Sequence, residues 1–195
     1  LKKKVVYDFR QNDLKNGGEG APLAPIFHKL ISKKIKVEPP LCIINLGGIA
    51  NITSIESGEI SDLGSQDIGP GNCLIDEWIK KNTNKKYDKD GLIAKSGKKD
   101  ILILNQALDN HDNLKKKNIL SYDTKDFDLS FVRGLSLEDG AATLTEFTGK
   151  LLAEATLNYI SKLKTKPKKI LVCGGGRKNS TLINCLKDNM TIGNL

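Results

Sequence analysis

The segment Asp67-Ile68-Gly69-Pro70-Gly71-Asn72 places a carboxylate beside a glycine-rich turn. A carboxylate in that setting can take a proton from a hydroxyl or water, while glycine backbone and a following helix N-terminus can hold a phosphate. Read locally, Asp67 serves equally well as the cap of a turn, a common use of Asp beside Gly and Pro. Three more glycine runs, Gly17 to Gly20, Gly47-Gly48 and Gly174-Gly175-Gly176, follow extended segments. Glycine admits φ > 0 and lets N–H groups approach phosphate oxygens that a Cβ would hold off. Singly, each reads as a tight turn; together with the Asp67 loop they favour phosphate handling. None matches a P-loop or a full dinucleotide fingerprint.

Other groups give weaker signals. Arg10, between Asp8 and Asp13, can hold a carboxylate or phosphate in a forked pair, or form an ordinary i to i+2 surface ion pair. His28 and His111 lack the spacing of a nucleophilic triad. Tyr87-Asp-Lys-Asp-Gly91 lacks the remaining ligands of a calcium loop and reads as a turn. Cys42, Cys73, Cys173 and Cys185 form no Cys-x-x-Cys pair and read as reduced thiols, with no structural metal.

The elements that must position these groups alternate between strand and helix. Lys4 to Tyr7 reads as a strand, followed by the loop Asn16 to Pro22 and a helix from Pro25 to Ser32 with apolar spacing at Ile26, Leu30 and Ile31. Leu41 to Leu46 is continuous enough for a buried central strand. Ile49 to Glu56 and Glu59 to Leu63, joined by Ser57-Gly58, read as a hairpin, with Asp67 just beyond its second arm. Asn72 can cap a helix whose apolar face is Leu74, Ile75, Trp78 and Ile79. Ile101 to Leu108 reads as a helix and Asp109 to Asp128 as an irregular polar stretch. Ser136 and Asp139 resemble a capping box for a long helix with an apolar stripe from Leu144 to Tyr159. Lys169 to Cys173 reads as a strand and Asn179 to Leu186 as a helix.

Composition fits this α/β reading. Of 195 residues, 38% are hydrophobic but only 5% aromatic, which suits a core of Leu, Ile and Val. No run reaches the roughly 18 apolar residues of a membrane span, and the start lacks a signal-peptide pattern, so a cytoplasmic protein is expected. The formal charge of +8 is spread over loop-like runs such as Lys33-Lys34, Lys85-Lys86, Lys115 to Lys117 and Lys166 to Lys169. Without interleaved aromatics or a recognition motif, this favours a solvated surface over a nucleic-acid face.

Together these residues resemble the anhydro-N-acetylmuramic acid kinase family of bacterial cell-wall recycling. The resemblance rests on Asp8-Phe-Arg-Gln-Asn-Asp-Leu-Lys-Asn-Gly-Gly-Glu-Gly-Ala-Pro-Leu23, Asn45-Leu-Gly-Gly-Ile-Ala-Asn-Ile-Thr53, Asp67 to Asn72, Tyr87 to Gly91, Ala142-Thr-Leu-Thr-Glu-Phe-Thr148 and Val172-Cys-Gly-Gly-Gly176 followed by Asn179, in the family's order. It implies an actin-like, ribonuclease-H-type ATPase fold that closes over ATP and Mg²⁺. It also implies hydrolytic opening of a 1,6-anhydro sugar with phosphorylation of O6, by an enzyme that can pair as a homodimer.

By the same resemblance Asp67 is the general base. Arg10, Asp13, Gly17 and Gly18 lie on the sugar side. Gly47, Gly48, Asn51, Gly69, Gly71, Asn72, Gly174, Gly175, Gly176 and Asn179 serve the nucleotide, and no metal ligand is assigned. Residues 1–40 are expected to end an N-terminal subdomain and 41–195 to form a truncated C-terminal one. The family's Gly-Thr-Ser-x-Asp-Gly turn and acidic C-terminal helix do not occur here, so the chain is expected to be an internal fragment. Glu19 stands where the family has Gln, Ile68 where it has Thr or Cys, and Ser121 to Phe127 follows a family Lys-Ser-x-x-Arg-x-x-Phe stretch only loosely. The alternative from another class is a non-catalytic actin-like module that binds nucleotide or sugar.

Overall fold

The computed structural model describes residues 5–18, 20–21, 23–114 and 122–192. Lys4, Glu19, Pro22, Lys115 to Lys117 and Ser121 lie outside the described residues, so the readings placed on them have no structural counterpart.

Four strands form one mixed sheet in the order β3-β2-β1-β4. They are β1 (Leu41–Leu46), β2 (Ile49–Ile55), β3 (Leu63–Pro70) and β4 (Lys169–Cys173). β1 pairs antiparallel with β2 and parallel with β4, and β2 pairs antiparallel with β3. β1, β3 and β4 therefore all run the same way. Their carboxyl ends carry Gly47-Gly48, Gly69 to Gly71 and Gly174 to Gly176, at the end of an open α/β sheet where ligands commonly bind.

Alternation along the strands gives the sheet two faces. Cys42, Ile44, Leu46, Ala50, Ile52 and Ile68 enter the main core. There they meet α3 (Cys73–Asn82), α6 (Leu137–Ser161) and α7 (Ser180–Ile192), with α4 (Leu92–Ser96) and α5 (Ile101–Leu114) packed on α6. Leu144, Leu151 and Leu152 of α6 are fully enclosed. More of α6 is buried than a single stripe implies, including Thr143, Thr145 and Thr148, because helices pack around it from several sides. Ser136 Oγ accepts the Asp139 N–H at 3.1 Å, one half of the expected box. The Asp139 carboxylate turns instead to the Lys98 N–H at 2.7 Å.

The opposite face buries Leu41, Ile43 and Ile55 and is crossed by α2 (Pro25–Lys34), where Pro25 suits a first helical position. The apolar spacing read from α2 points the other way from expectation. His28, Lys29 and Ser32 are buried, whereas Ile26, Phe27 and Leu30 are about 60% exposed. The reason lies on β2, where His28 Nδ1 and Thr53 Oγ1 are hydrogen bonded at 2.8 Å, so the polar side of the helix is the side that docks.

Two further elements differ from the sequence reading. Val5 to Asp8 form no strand, and a helix, α1 (Phe9–Lys15), follows at once. Val5, Val6 and Tyr7 are 67–79% exposed, since no described strand pairs with them. The second hairpin arm is β3 rather than Glu59 to Leu63, so Asp67 lies inside a strand.

Candidate functional site

β3 delivers Asp67 through an irregularity. Ala50 pairs with Gly69 and Asn51 with Asp67, which leaves Ile68 as the extra residue of a bulge. Bulges re-aim side chains and recur beside functional sites. Here Ile68, 3% exposed, drops into the apolar core. The departure from the family residue at position 68 therefore faces α6 and not the site.

Asp67 is itself only 8% exposed. It lines a cleft of about 380 Å³ with Arg10, Ala21, Ile49, Asn51, Tyr122, Asp123 and Asp126. Its Oδ2 accepts the Tyr122 N–H at 3.1 Å. The segment carrying Tyr122 is shaped by the Tyr122–Phe127 ring contact at 5.2 Å and by a capping box between Asp123 and Asp126. Sequence reasoning compared Ser121 to Phe127 with a family stretch but gave Tyr122, Asp123 and Asp126 no part in the site; the Asp-x-x-Asp spacing is the local signal for that turn.

On the expected sugar side, only Arg10 reaches this cleft. Asp13 instead organises its own loop, accepting the Gly20 N–H at 2.8 Å. Gly18 packs so closely on that carboxylate that a Cβ would lie 2.1 Å from Oδ2. Gly17, with φ +83°, closes the turn at the end of α1. These three residues hold the loop that carries Arg10's neighbourhood and do not line the cleft.

The residues expected on the nucleotide side divide into two groups. Gly47, Gly48, Gly71 and Asn72 form a clasp across the sheet end. The Gly71 N–H donates to Gly48 O at 2.9 Å, the Asn72 N–H to Gly47 O at 2.8 Å and the Cys73 N–H to Gly48 O at 3.2 Å. The Gly71 and Asn72 amides are thus engaged by protein, unlike the phosphate-facing helix start read from sequence. Asn72 does not cap α3 with its side chain. Its Nδ2 reaches back to the carbonyls of Leu46 and Gly47, at 3.4 and 3.2 Å.

Asn72, Gly175, Gly176 and Asn179 line a second cleft of about 460 Å³ with Asp76, Tyr87, Asp88, Lys89, Asp90, Arg177 and Lys178. Gly176 has to be glycine, because a Cβ would meet both the Asn72 amide and Leu46 at under 3 Å. Gly174, at φ +82°, is pressed against Leu46 O and Asn45 Oδ1 in the same way. Asn179 is buried and caps α7, its Oδ1 accepting the Leu182 N–H at 3.0 Å. Asp88 binds the Ile93 and Ala94 N–H groups at the start of α4, both at 2.9 Å. Burial, reinforced by Asp88 and opposed by Lys80, raises the Asp76 carboxyl above its usual range. Asn51 and Gly69 line neither this cleft nor the clasp.

Burial raises the Cys42 and Cys185 thiols to about 12 and Cys73 to about 11, so these are inert core groups. Among the described residues no His, Cys, Asp or Glu cluster of three is arranged to hold a metal, and no helix is long and apolar enough to cross a membrane.

A mixed sheet with glycine turns gathered at its carboxyl end, helices on both faces and a nearly buried carboxylate on one of those strands defines part of an actin-like ATPase of the sugar-kinase class. The family model for anhydro-N-acetylmuramic acid kinase matches residues 2–195. The chain belongs to the anhydro-N-acetylmuramic acid kinase family. It is 52% identical over 190 residues to the anhydro-N-acetylmuramic acid kinase of Pelagibacter ubique, covering 97% of this chain and 51% of that protein. The kinase of the same name from Zymomonas mobilis is 43% identical over 188 residues, covering 95% and 49%. That from Rhodospirillum rubrum is 42% identical over 182 residues, covering 93% and 46%. The chain thus spans about half the length of the curated relatives it matches.

Proposed function

We propose that the protein to which this chain belongs is an ATP-dependent kinase that opens 1,6-anhydro-N-acetylmuramic acid with water and phosphorylates O6, giving N-acetylmuramate 6-phosphate. The observation that carries this is Asp67: a nearly buried carboxylate in a cleft, on the strand that leads into the clasp joining the glycine turns. In this reading Asp67 takes the proton of the water that adds to the anomeric carbon. The bond from that carbon to O6 breaks, and O6 accepts the phosphoryl group. Arg10, at the same cleft, supplies a forked cation for an anionic part of the sugar.

The second cleft is assigned to the nucleotide, with Lys89, Arg177 and Lys178 offering positive charge and the glycine turns close backbone approach. Mg²⁺ would come with the phosphates and neutralise their charge, as it usually needs only one or two protein carboxylates. Residues 1–40 are assigned to the end of one lobe and 41–195 to the other. The setting proposed is the cytoplasm, where ATP and recycled cell-wall sugars meet, and the basic surface is assigned to anionic small molecules and not to nucleic acid.

In the full-length protein, Asp67→Asn is expected to lower turnover at least ~10³-fold while nucleotide affinity by calorimetry stays within about threefold. Near-normal turnover of the variant would reject Asp67 as the base.

A further inference from the structure

Asn51 belongs, by its sequence neighbours, with Gly47-Gly48 on the nucleotide side. The fold puts it elsewhere. It is the cross-strand partner of Asp67 and lines the same cleft. The neighbouring amides are engaged: Asn45 Oδ1 receives the Cys173 thiol at 3.6 Å, and Asn72 holds the Leu46 and Gly47 carbonyls. Asn51 Oδ1, by contrast, is buried with no hydrogen-bond partner. An unsatisfied buried acceptor costs on the order of 1–3 kcal/mol, and such a group in a native protein calls for a reason beyond packing. Asn51 lines the cleft, and its amide also carries a donor, Nδ2.

We infer that Asn51 is a substrate-contacting residue of the Asp67 cleft, whose amide N–H holds the oxygen that Asp67 deprotonates. The inference rests on the reading of Asp67 as the base. Cross-strand partners stand with Cβ atoms about 4.5–5.5 Å apart, so one oxygen seated over the pair can reach both side chains. That oxygen gives its proton to the Asp67 carboxylate and receives the Asn51 N–H on a lone pair. The amide dipole then meets the charge that builds as the O–H bond breaks, and the attacking oxygen is held in one orientation. A carboxylate alone would supply only the acceptor half of this arrangement. The class of ligand is a water or hydroxyl oxygen belonging to the sugar half-reaction, not a nucleotide phosphate.

The test uses the full-length protein and measures kcat and KM separately for the anhydro sugar and for ATP. Asn51→Ala is expected to lose roughly 100-fold in kcat/KM for the sugar, with KM for ATP within about threefold of wild type. Asn51→Asp sets a second carboxylate opposite Asp67, and like charges at that distance should move the acidic limb of the kcat profile upward by about a pH unit. A role confined to folding would leave that limb in place. The proposal is overturned if Asn51→Ala keeps its sugar kcat/KM within threefold, or if the loss falls on KM for ATP. Should Asn51→Ala fail to fold, Asn51→Ser carries the same two criteria. Calorimetric titration with the anhydro sugar separates the layers. Tight binding by wild-type protein that phosphorylates nothing would sink the base assignment, and an Asn51→Ala affinity unchanged from wild type would then sink the contact as well.

Discussion

The two clefts at the carboxyl end of the sheet are built by different means. The second cleft is made of turns whose own sequences announce them: Gly175-Gly176, Tyr87 to Asp90 and Asn179 are glycine, turn and cap residues doing local work. The Asp67 cleft has no such local signature. It needs α1 to supply Arg10, β2 to supply Asn51, a bulge to aim Asp67, and a segment some 55 residues further on to bring the Tyr122 N–H to the carboxylate. Each such turn keeps its own conformation by local bonds, while residues 72–76, 87–90 and 175–179 meet to form the cleft. A site assembled from four separate chain segments depends on register, and here only its carboxylate, Asp67, is nearly buried.

If that contrast is right, the two clefts should separate under mutation. Removal of the Asp67 base is the largest expected effect, and it should leave the nucleotide cleft intact. Next comes Gly71→Ala, which strikes the clasp at the end of β3, the strand that carries Asp67, next to Asn72 of the second cleft. The new Cβ would stand 2.2 Å from Gly47 O and 3.1 Å from Gly48 O, both backbone atoms that cannot swing aside. We expect ~1–3 kcal/mol of destabilisation by thermal melting, with weakened affinity for both ligands. A variant impaired toward only one ligand would show that the clasp supports that cleft alone.

Asn72→Ala should be milder and one-sided. It removes the 3.2 and 3.4 Å side-chain bonds to Gly47 and Leu46 and the amide packed on Gly176. The expected cost is about 0.5–1.5 kcal/mol. Nucleotide affinity should fall severalfold, while the sugar KM holds. A loss confined to the sugar would reverse the assignment of the clefts.

The smallest effect concerns His28, which ties α2 to β2 beneath the Asp67 face. Burial lowers its pKa below the ordinary 6.5, so the folded protein favours the neutral ring. Above pH 6.5 both states are neutral and the group adds no pH dependence. As pH falls below that value, the unfolded chain takes up a proton that the folded one resists, and stability is lost by at most ~1.4 kcal/mol per pH unit. For a chain of this size that is about 2–4 °C of melting temperature per kcal/mol. His28→Gln should flatten the slope between pH 6.5 and 5, and an unchanged slope would place the titration elsewhere.

Much of the frame was legible from residue order. The apolar runs Leu41 to Leu46, interrupted at Asn45, and Ile170 to Cys173 became the paired strands β1 and β4, and the Leu144 to Tyr159 stripe became part of α6. α2 was harder to read, because its apolar face is the exposed one and its docking face is polar. The run before Asp8 failed as a strand because β propensity without a partner strand buys no burial.

Sequence alone determined the family and the fact that glycine turns follow β1 and β4, because motif order and turn chemistry are local properties. Only the tertiary structure decided that Asp67 sits within β3, that Ile68 leaves the site for the core, that the Gly71 and Asn72 amides close a clasp, and that Asn51 stands beside Asp67. Each of these depends on register across strands and on side chains meeting from distant segments. Register is set by which face can be buried once the whole sheet is assembled.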